Sequence, residues 1–148
     1  MYRFIKALLI PIIYLLYRPK VEGRDNLPKE GRVVLYSNHT SLIDPVILGC
    51  VLPRKIHFMA KVELFEKPVL GGIIKNLGAF PVKRGSADIT AIKTALGVLK
   101  DEKVFGVFPE GTRGKEGMLG HFSRGTASIA HRAKAPVIPV AIIGEYKP

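Results

Sequence analysis

Beyond residue 30, short runs rich in β-branched residues alternate with longer stretches whose apolar residues recur at helical spacing. Few architectures accept that order. Strands separated by helices bury both faces of a sheet, so the alternation predicts an α/β fold, a single domain with a mostly parallel central sheet flanked by helices. Strands are expected over 31–37, 55–60, 79–82, 104–108 and 137–143. Helices are expected over 42–52, 68–77, 87–100 and 122–134, the third on the spacing of Ile89, Ile92, Ala95, Leu96 and Leu99. The 148 residues are enough for one core, and no repeat or linker divides them.

Residues 1–20 differ from the rest. Arg3, Lys6, Arg18 and Lys20 bracket an unbroken apolar run from Ala7 to Tyr17, with no acidic residue among them. A spanning helix needs about 20 apolar residues, so this run is too short to cross a bilayer. Arg18-Pro19-Lys20 also stands where a signal peptide would carry small cleavage-site residues. Apolar bulk, flanking cations and terminal tyrosines suit a helix lying in one leaflet, with Arg and Lys at the headgroups. We therefore expect 1–20 to be a membrane-anchoring segment and 21–148 to be the folded domain. A buried core helix is the alternative reading of the same run.

Charge narrows the partners. Lys and Arg number 23 against 12 Asp and Glu, a net charge of +11, which calls for an anionic lipid surface, phosphate groups or RNA. Against nucleic acid, the cations are not interleaved with aromatics and no RNA-binding motif occurs. A single cysteine, Cys50, excludes an internal disulfide and a paired-cysteine metal site, and it reads as a small apolar helix residue. His57, His121 and His131 are scattered, and no metal-ligand cluster is expected.

Chemistry concentrates where predicted strands end. Ser37-Asn38-His39-Thr40-Ser41-Leu42-Ile43-Asp44-Pro45 follows the first strand. On one continuous helix His39 and Asp44 would be about 140° apart and could not meet. They can meet if His39 is in the loop and Asp44 in the first helical turn, as a Ser41 cap and Pro45 suggest. The carboxylate would then hold one imidazole nitrogen and leave the other to take a proton. The plainer alternative is a surface histidine beside a capping aspartate. After the fourth strand come Pro109-Glu110-Gly111-Thr112-Arg113-Gly114, where glycines admit a ligand and Thr112 and Arg113 supply phosphate donors. Glu110 would orient Arg113 or a substrate hydroxyl; read alone, the segment is equally a polar turn. A third block, Gly78 through Gly85, ends a short strand in Lys83 and Arg84, which are otherwise a solvated strand end. The fourth, Ala135 through Val140, reads as a strand with prolines at its start.

In order and spacing these four blocks resemble the glycerol-phosphate and lysophosphatidate acyltransferase family. The match rests on Asn38-His39 through Asp44, Gly78 through Arg84, Phe108 through Arg113, and Val137-Ile138-Pro139, and it covers roughly residues 20–143. The first and third blocks are specific as a pair. Members of that family commonly continue past the last block, so an acyltransferase domain over 21–148 would be shortened at its C-terminal end.

The resemblance implies transfer of an acyl group from a thioester of coenzyme A or acyl carrier protein to the sn-2 hydroxyl of 1-acyl-sn-glycerol 3-phosphate, giving phosphatidate. It needs no cofactor beyond that acyl donor, and no metal. His39 and Asp44 are the expected catalytic pair, His39 as base and Asp44 as its orienting partner. Lys83, Arg84, Glu110, Gly111, Thr112 and Arg113 are the expected binding residues for the acceptor. The expected location is the cytoplasmic face of a membrane, held peripherally. Glycerol 3-phosphate or another lysophospholipid is the alternative acceptor. The non-enzymatic alternative is a basic lipid- or nucleic-acid-binding module, in which the His39–Asp44 pair would be idle.

Overall fold

The structure, a computed structural model, describes residues 1–83, 88–108 and 124–144. Helix α1 (Tyr2–Tyr17) leads into strand β1 (Val33–Ser37), α2 (Asp44–Val51) and β2 (Ile56–Lys61). A short α3 (Val62–Phe65) and α4 (Pro68–Leu77) precede β3 (Phe80–Val82). Then come α5 (Ile89–Lys100), β4 (Val104–Val107), α6 (Arg124–Ala133) and β5 (Val137–Val140). The five strands form one sheet in the order β3-β2-β4-β1-β5, and every neighbouring pair is parallel. The α/β expectation is met.

Residue alternation explains how the sheet is sandwiched. Val33 and Leu35 of β1, Val104 of β4, and Ile56 and Phe58 of β2 face α1 and α2, where Ile13, Ile47, Leu48 and Val51 cover them. Val34, Phe105, Val107 and Phe80 point the other way, against Ala91, Ala95 and Leu99 of α5 and Ile129 and Ala130 of α6. Strands buried on both faces have to be apolar throughout, as the Val33-Val34-Leu35 and Val104-Phe105 runs are. Both edge strands carry a proline, Pro81 in β3 and Pro139 in β5, where a missing N–H leaves no central ladder unpaired.

Several boundaries move from the sequence expectation. The second helix begins at Asp44, two residues later than expected, because Pro45 takes the first turn and the preceding amides bond to the Asp44 side chain. The last strand stops at Val140 rather than 143, and from there Ile142 pairs with the Asn38 side chain. On α5 the buried face is Ala91, Ala95 and Leu99 at a four-residue spacing, while Ile89 follows the Asp88 cap and stays exposed. Helix α3 has no sequence counterpart because it begins directly at the end of β2. No described helix is long and apolar enough to cross a membrane.

The topology also picks out the working end of the sheet. β1 and β4 are neighbours, yet β1 is followed by α2 on one face while α6, the next described helix after β4, lies on the other. Such a divergence opens a crevice beyond the C-terminal ends of the two strands. At the opposite end, Arg54 donates to the carbonyls of Pro28, Gly31 and Glu102 and ties the strand starts together.

Candidate active site

The loop leaving β1 and the first turn of α2 meet in that crevice. His39 is buried, and its Nδ1 lies 2.9 Å from Asp44 Oδ2. Asp44 is fully buried, and the same oxygen accepts the backbone N–H of Thr40 at 2.7 Å and of Ser41 at 2.8 Å. Two backbone N–H groups on Oδ2 and a lowered pKa favour the ionised carboxylate, which can only accept; the Nδ1 beside it then carries a proton, and in the neutral ring Nε2 is the acceptor. Burial pushes the Asp44 carboxyl upward, but the hydrogen bonds from His39, Ser41 and Thr40 outweigh it and hold it below the ordinary range. The loop-and-first-turn geometry expected for His39 and Asp44 is present. Ser41 is not the cap residue itself: Ile43 occupies the cap position without a side-chain bond, while Ser41 gives its N–H to Asp44 and its Oγ accepts the Ile43 N–H at 3.4 Å.

Three further residues frame the pair. Phe108, just past β4, stacks on the His39 ring with centroids 4.1 Å apart and planes 21° apart. Phe58 of β2 stacks in turn on Phe108, at 5.5 Å and 10°. Asn38 donates its Nδ2–H to Ile142 O at 2.9 Å and accepts the Ile142 N–H on Oδ1 at 2.7 Å, fastening the histidine loop to the segment after β5. None of these side-chain roles was assigned from sequence. Asn38 and Phe108 stand at the starts of the first and third motif blocks, and for Phe58 the signal was the glycine inside the apolar β4 run, because glycine in a strand centre marks a close approach.

An apolar pocket of about 120 Å³ is lined by Leu42, Pro45 and Val46, the chain neighbours of Asp44, and by Phe58, though not by His39 or Asp44 themselves. Leu42, Pro45, Val46 and Gly49 form one wall, Phe58 and Met59 another, and Leu64, Ile74 and Leu77 a third. Tyr2, Lys6 and Cys50 line it as well, and Lys6 Nζ donates to Leu52 O at 2.6 Å. Cys50 is buried in α2, as a small apolar residue would be, and burial raises its thiol pKa.

The remaining candidates divide. Lys83 is exposed at the end of β3, on the same end of the sheet as His39, and three strand spacings from β1 place it about 14 Å away across the sheet. Its N–H is held by Asp88 Oδ2 at 2.8 Å. Arg84, Glu110, Gly111, Thr112 and Arg113, and His121 with them, lie outside the described residues. His57 is a structural residue of β2, with Nδ1 3.0 Å from Gly78 O, and burial lowers its pKa. His131 is exposed on α6, away from the pair.

The outer side of α1 bears exposed Met1, Phe4, Leu8, Ile12 and Leu15 at helical spacing, and α4 adds Val69, Leu70 and Ile73. The opposite side of α1 is packed, with Ile13 buried and Leu9, Ile10 and Tyr17 against the core. The helix therefore serves the core on one side and leaves an apolar stripe on the other.

Comparison with known proteins agrees with this architecture. A 1-acyl-sn-glycerol-3-phosphate acyltransferase of Bacillus subtilis is 38% identical over 145 residues, covering 97% of this chain and 72% of that protein. A chloroplastic enzyme of the same name from Brassica napus is 33% identical over 138 residues, 91% of this chain but 40% of its own length. The crystal structure of the 1-acyl-sn-glycerophosphate acyltransferase of Thermotoga maritima superposes with a TM-score of 0.79 at 29% identity, over 98% of this chain and 58% of that one. The chain thus spans less than two thirds of the length of the plant and Thermotoga proteins. The family model described as Acyltransferase matches residues 18–143, most of the length, and this chain belongs to that family.

Proposed function

We propose that the protein transfers a fatty acyl group from a thioester, carried by coenzyme A or acyl carrier protein, to the sn-2 hydroxyl of 1-acyl-sn-glycerol 3-phosphate, forming phosphatidate. The observation that carries the reading is the buried His39–Asp44 pair, whose Nε2 has no hydrogen-bond partner among the described residues, together with an apolar pocket lined from the first turns of α2. The relatives' shared name gives the acceptor. In this reading His39 Nε2 takes the hydroxyl proton as the oxygen attacks the thioester carbonyl. A carbon–oxygen bond forms, the carbon–sulfur bond breaks, and the imidazolium returns its proton to the departing thiolate. Asp44 stays ionised and stabilises the imidazolium, as the buried acid of a hydrolase triad does. The acyl chain lies in the pocket along α2. Lys83, Arg84 and Arg113 bind the acceptor phosphate, with Glu110, Gly111 and Thr112 shaping that site; the ends of β3 and β4, from which these segments run, share the sheet end of His39.

Residues 1–20 act in this reading as the membrane-anchoring segment and 21–148 as the catalytic domain. The exposed stripe on α1, flanked by Arg3, Arg18 and Lys20, supports peripheral attachment to an anionic lipid surface at the cytoplasmic face. A lipid acceptor is then delivered from the surface on which the protein sits. The test is thiol release from an acyl thioester by detergent-solubilised protein with lysophosphatidate, with glycerol 3-phosphate and with no acceptor. Release that requires lysophosphatidate supports the reading. Release driven equally by glycerol 3-phosphate moves the acceptor to the smaller molecule, and no release with either overturns the reaction.

A further inference from the structure

Asp44 fixes only one atom of the His39 ring. Among the described residues one hydrogen bond, at Nδ1, holds the imidazole, which leaves the ring able to swing about the Nδ1···Oδ2 line and carry Nε2 through an arc. A second constraint has to act on the ring face, and the Phe108 ring supplies it at 4.1 Å. Phe108 sits just beyond the end of a strand, where a lone side chain would itself be free to turn. Its other neighbour is Phe58, whose plane is within 10° of its own. Three rings therefore run across the sheet from β2 to the end of β1.

Gly106 makes that run possible. It lies opposite both Phe58 and Leu35 in the strand register and on the same side of β4 as Phe108. A Cβ placed on Gly106 would fall 2.3 Å from Phe58 Cε1, 2.6 Å from Phe58 Cδ1 and 2.6 Å from Ile56 Cγ2. Those contacts are far inside van der Waals distance, so the Phe58 ring occupies the space a side chain would take. Glycine weakens a strand interior, and here the gain is a backing ring for Phe108.

We propose that Phe108 and Phe58, seated over Gly106, are positioning residues that hold the His39 imidazole at the angle from which Nε2 accepts the substrate proton. The proposal rests on the acyl-transfer reading above. The same ring face favours the imidazolium formed when the proton arrives, since a cation over an aromatic face is attracted to it. Neither phenylalanine touches the reacting atoms in this scheme.

The test compares Phe108→Leu, Phe108→Tyr, Phe58→Leu and Gly106→Ala with the unmodified protein. Kinetics are read for both substrates, and the His39 ring protons are read by NMR with labelled histidine. A misplacement of about 1 Å costs roughly a hundredfold in rate, so Phe108→Leu should lower kcat by about ten- to a hundredfold with both KM values little changed. Phe108→Tyr keeps the ring and recovers most of that kcat. The His39 ring protons, shielded by the stacked phenyl face, should move downfield in Phe108→Leu and hold their place in Phe108→Tyr. If Phe108→Leu fails to fold, Phe58→Leu and Gly106→Ala, both of which lower the melting temperature, are assayed well below their own melting temperatures and decide by the same readouts. An unchanged kcat, a rise confined to KM, or a fall in kcat with the His39 signals unmoved overturns the proposal. Absence of turnover in the unmodified protein would refute the acyl-transfer reading instead, and the NMR comparison would still report the stack.

Discussion

Replacing Asp44 by asparagine removes one negative charge and almost no volume. Oδ2 receives the His39, Thr40 and Ser41 donors, while Oδ1 is buried with no partner among the described residues. An asparagine whose amide oxygen sits at the Oδ2 position keeps all three hydrogen bonds and leaves its NH₂ at the orphan position. The His39 tautomer is then preserved, and what disappears is the attraction between carboxylate and imidazolium. At about 4 Å and an effective dielectric near 20 that attraction is about 4 kcal/mol. Each 1.36 kcal/mol is tenfold, so kcat should fall by roughly a thousandfold. The flipped amide would turn a donor toward Nδ1, force the other tautomer and abolish the base outright, so the loss can only be larger. The assay is acceptor-dependent thiol release, run on Asp44→Asn, His39→Ala and the double variant. Because the pair acts as a unit, the double variant should be no slower than His39→Ala alone. A loss under about tenfold in Asp44→Asn, too small for a lost ion pair, or losses that multiply in the double variant, would refute the pairing. The same substitution has a stability signature. The Asp44 carboxyl is held below its ordinary value in the fold, so its contribution is complete above the unfolded pKa of about 3.9 and fades as pH falls through the folded value. Asp88 and Glu102 are also depressed, by backbone amides and by Arg32 respectively, and contribute equally to both proteins. The melting temperature should therefore fall more steeply below about pH 4 in the unmodified protein than in Asp44→Asn; parallel curves would contradict this.

Other outcomes follow from single contacts. Asn38→Ala strips both partners from the half-buried Ile142 backbone, about 1–3 kcal/mol, and should lower Tm by about 3–9 °C; an unchanged Tm would show that the clamp carries no stability. Gly49→Leu projects into the apolar pocket, where an added Cβ meets nothing within 4 Å, so the fold should tolerate it while long acyl donors are rejected. Each excluded methylene is worth about 0.8 kcal/mol, so kcat/KM for long-chain thioesters should fall at least tenfold relative to short ones, and an unaltered chain-length profile would put the acyl chain elsewhere. Phe4→Glu with Leu8→Glu, both on the exposed stripe of α1, should abolish sedimentation with anionic vesicles, and binding by the unmodified protein should survive high salt. Binding that salt removes, or that the double variant retains, would mean that the stripe is not the anchor.

The parts of the structure legible in the sequence are those set by local pattern. The buried strands β1 and β4 declare themselves as uninterrupted apolar runs, and α4 begins at Pro68 and ends before Gly78, whose φ of 105° suits the left-handed cap. The His39–Asp44 pairing is legible because Pro45 sets where the helix can start, and five residues then suffice to close loop on turn. The Phe58–Phe108–His39 stack is not legible in the same way. It exists only because β4 lies between β2 and β1, an order that no local periodicity encodes. Asn38 is similar, since its partner Ile142 is 104 residues away. Helix α5 shows a smaller failure of periodicity: Ile89 fits the helical pattern but precedes the packed face, whose small residues Ala91 and Ala95 let α5 lie close to the sheet.

The central claim is that His39 takes the proton from the attacking hydroxyl. Its most direct test is lysophosphatidate-dependent thiol release by His39→Ala beside the unmodified protein, at matched melting temperature. Loss of a general base costs about 10²–10⁴-fold, and the account predicts a fall of that size with the fold intact. Turnover near the unmodified rate would contradict it and leave the buried pair as a structural feature.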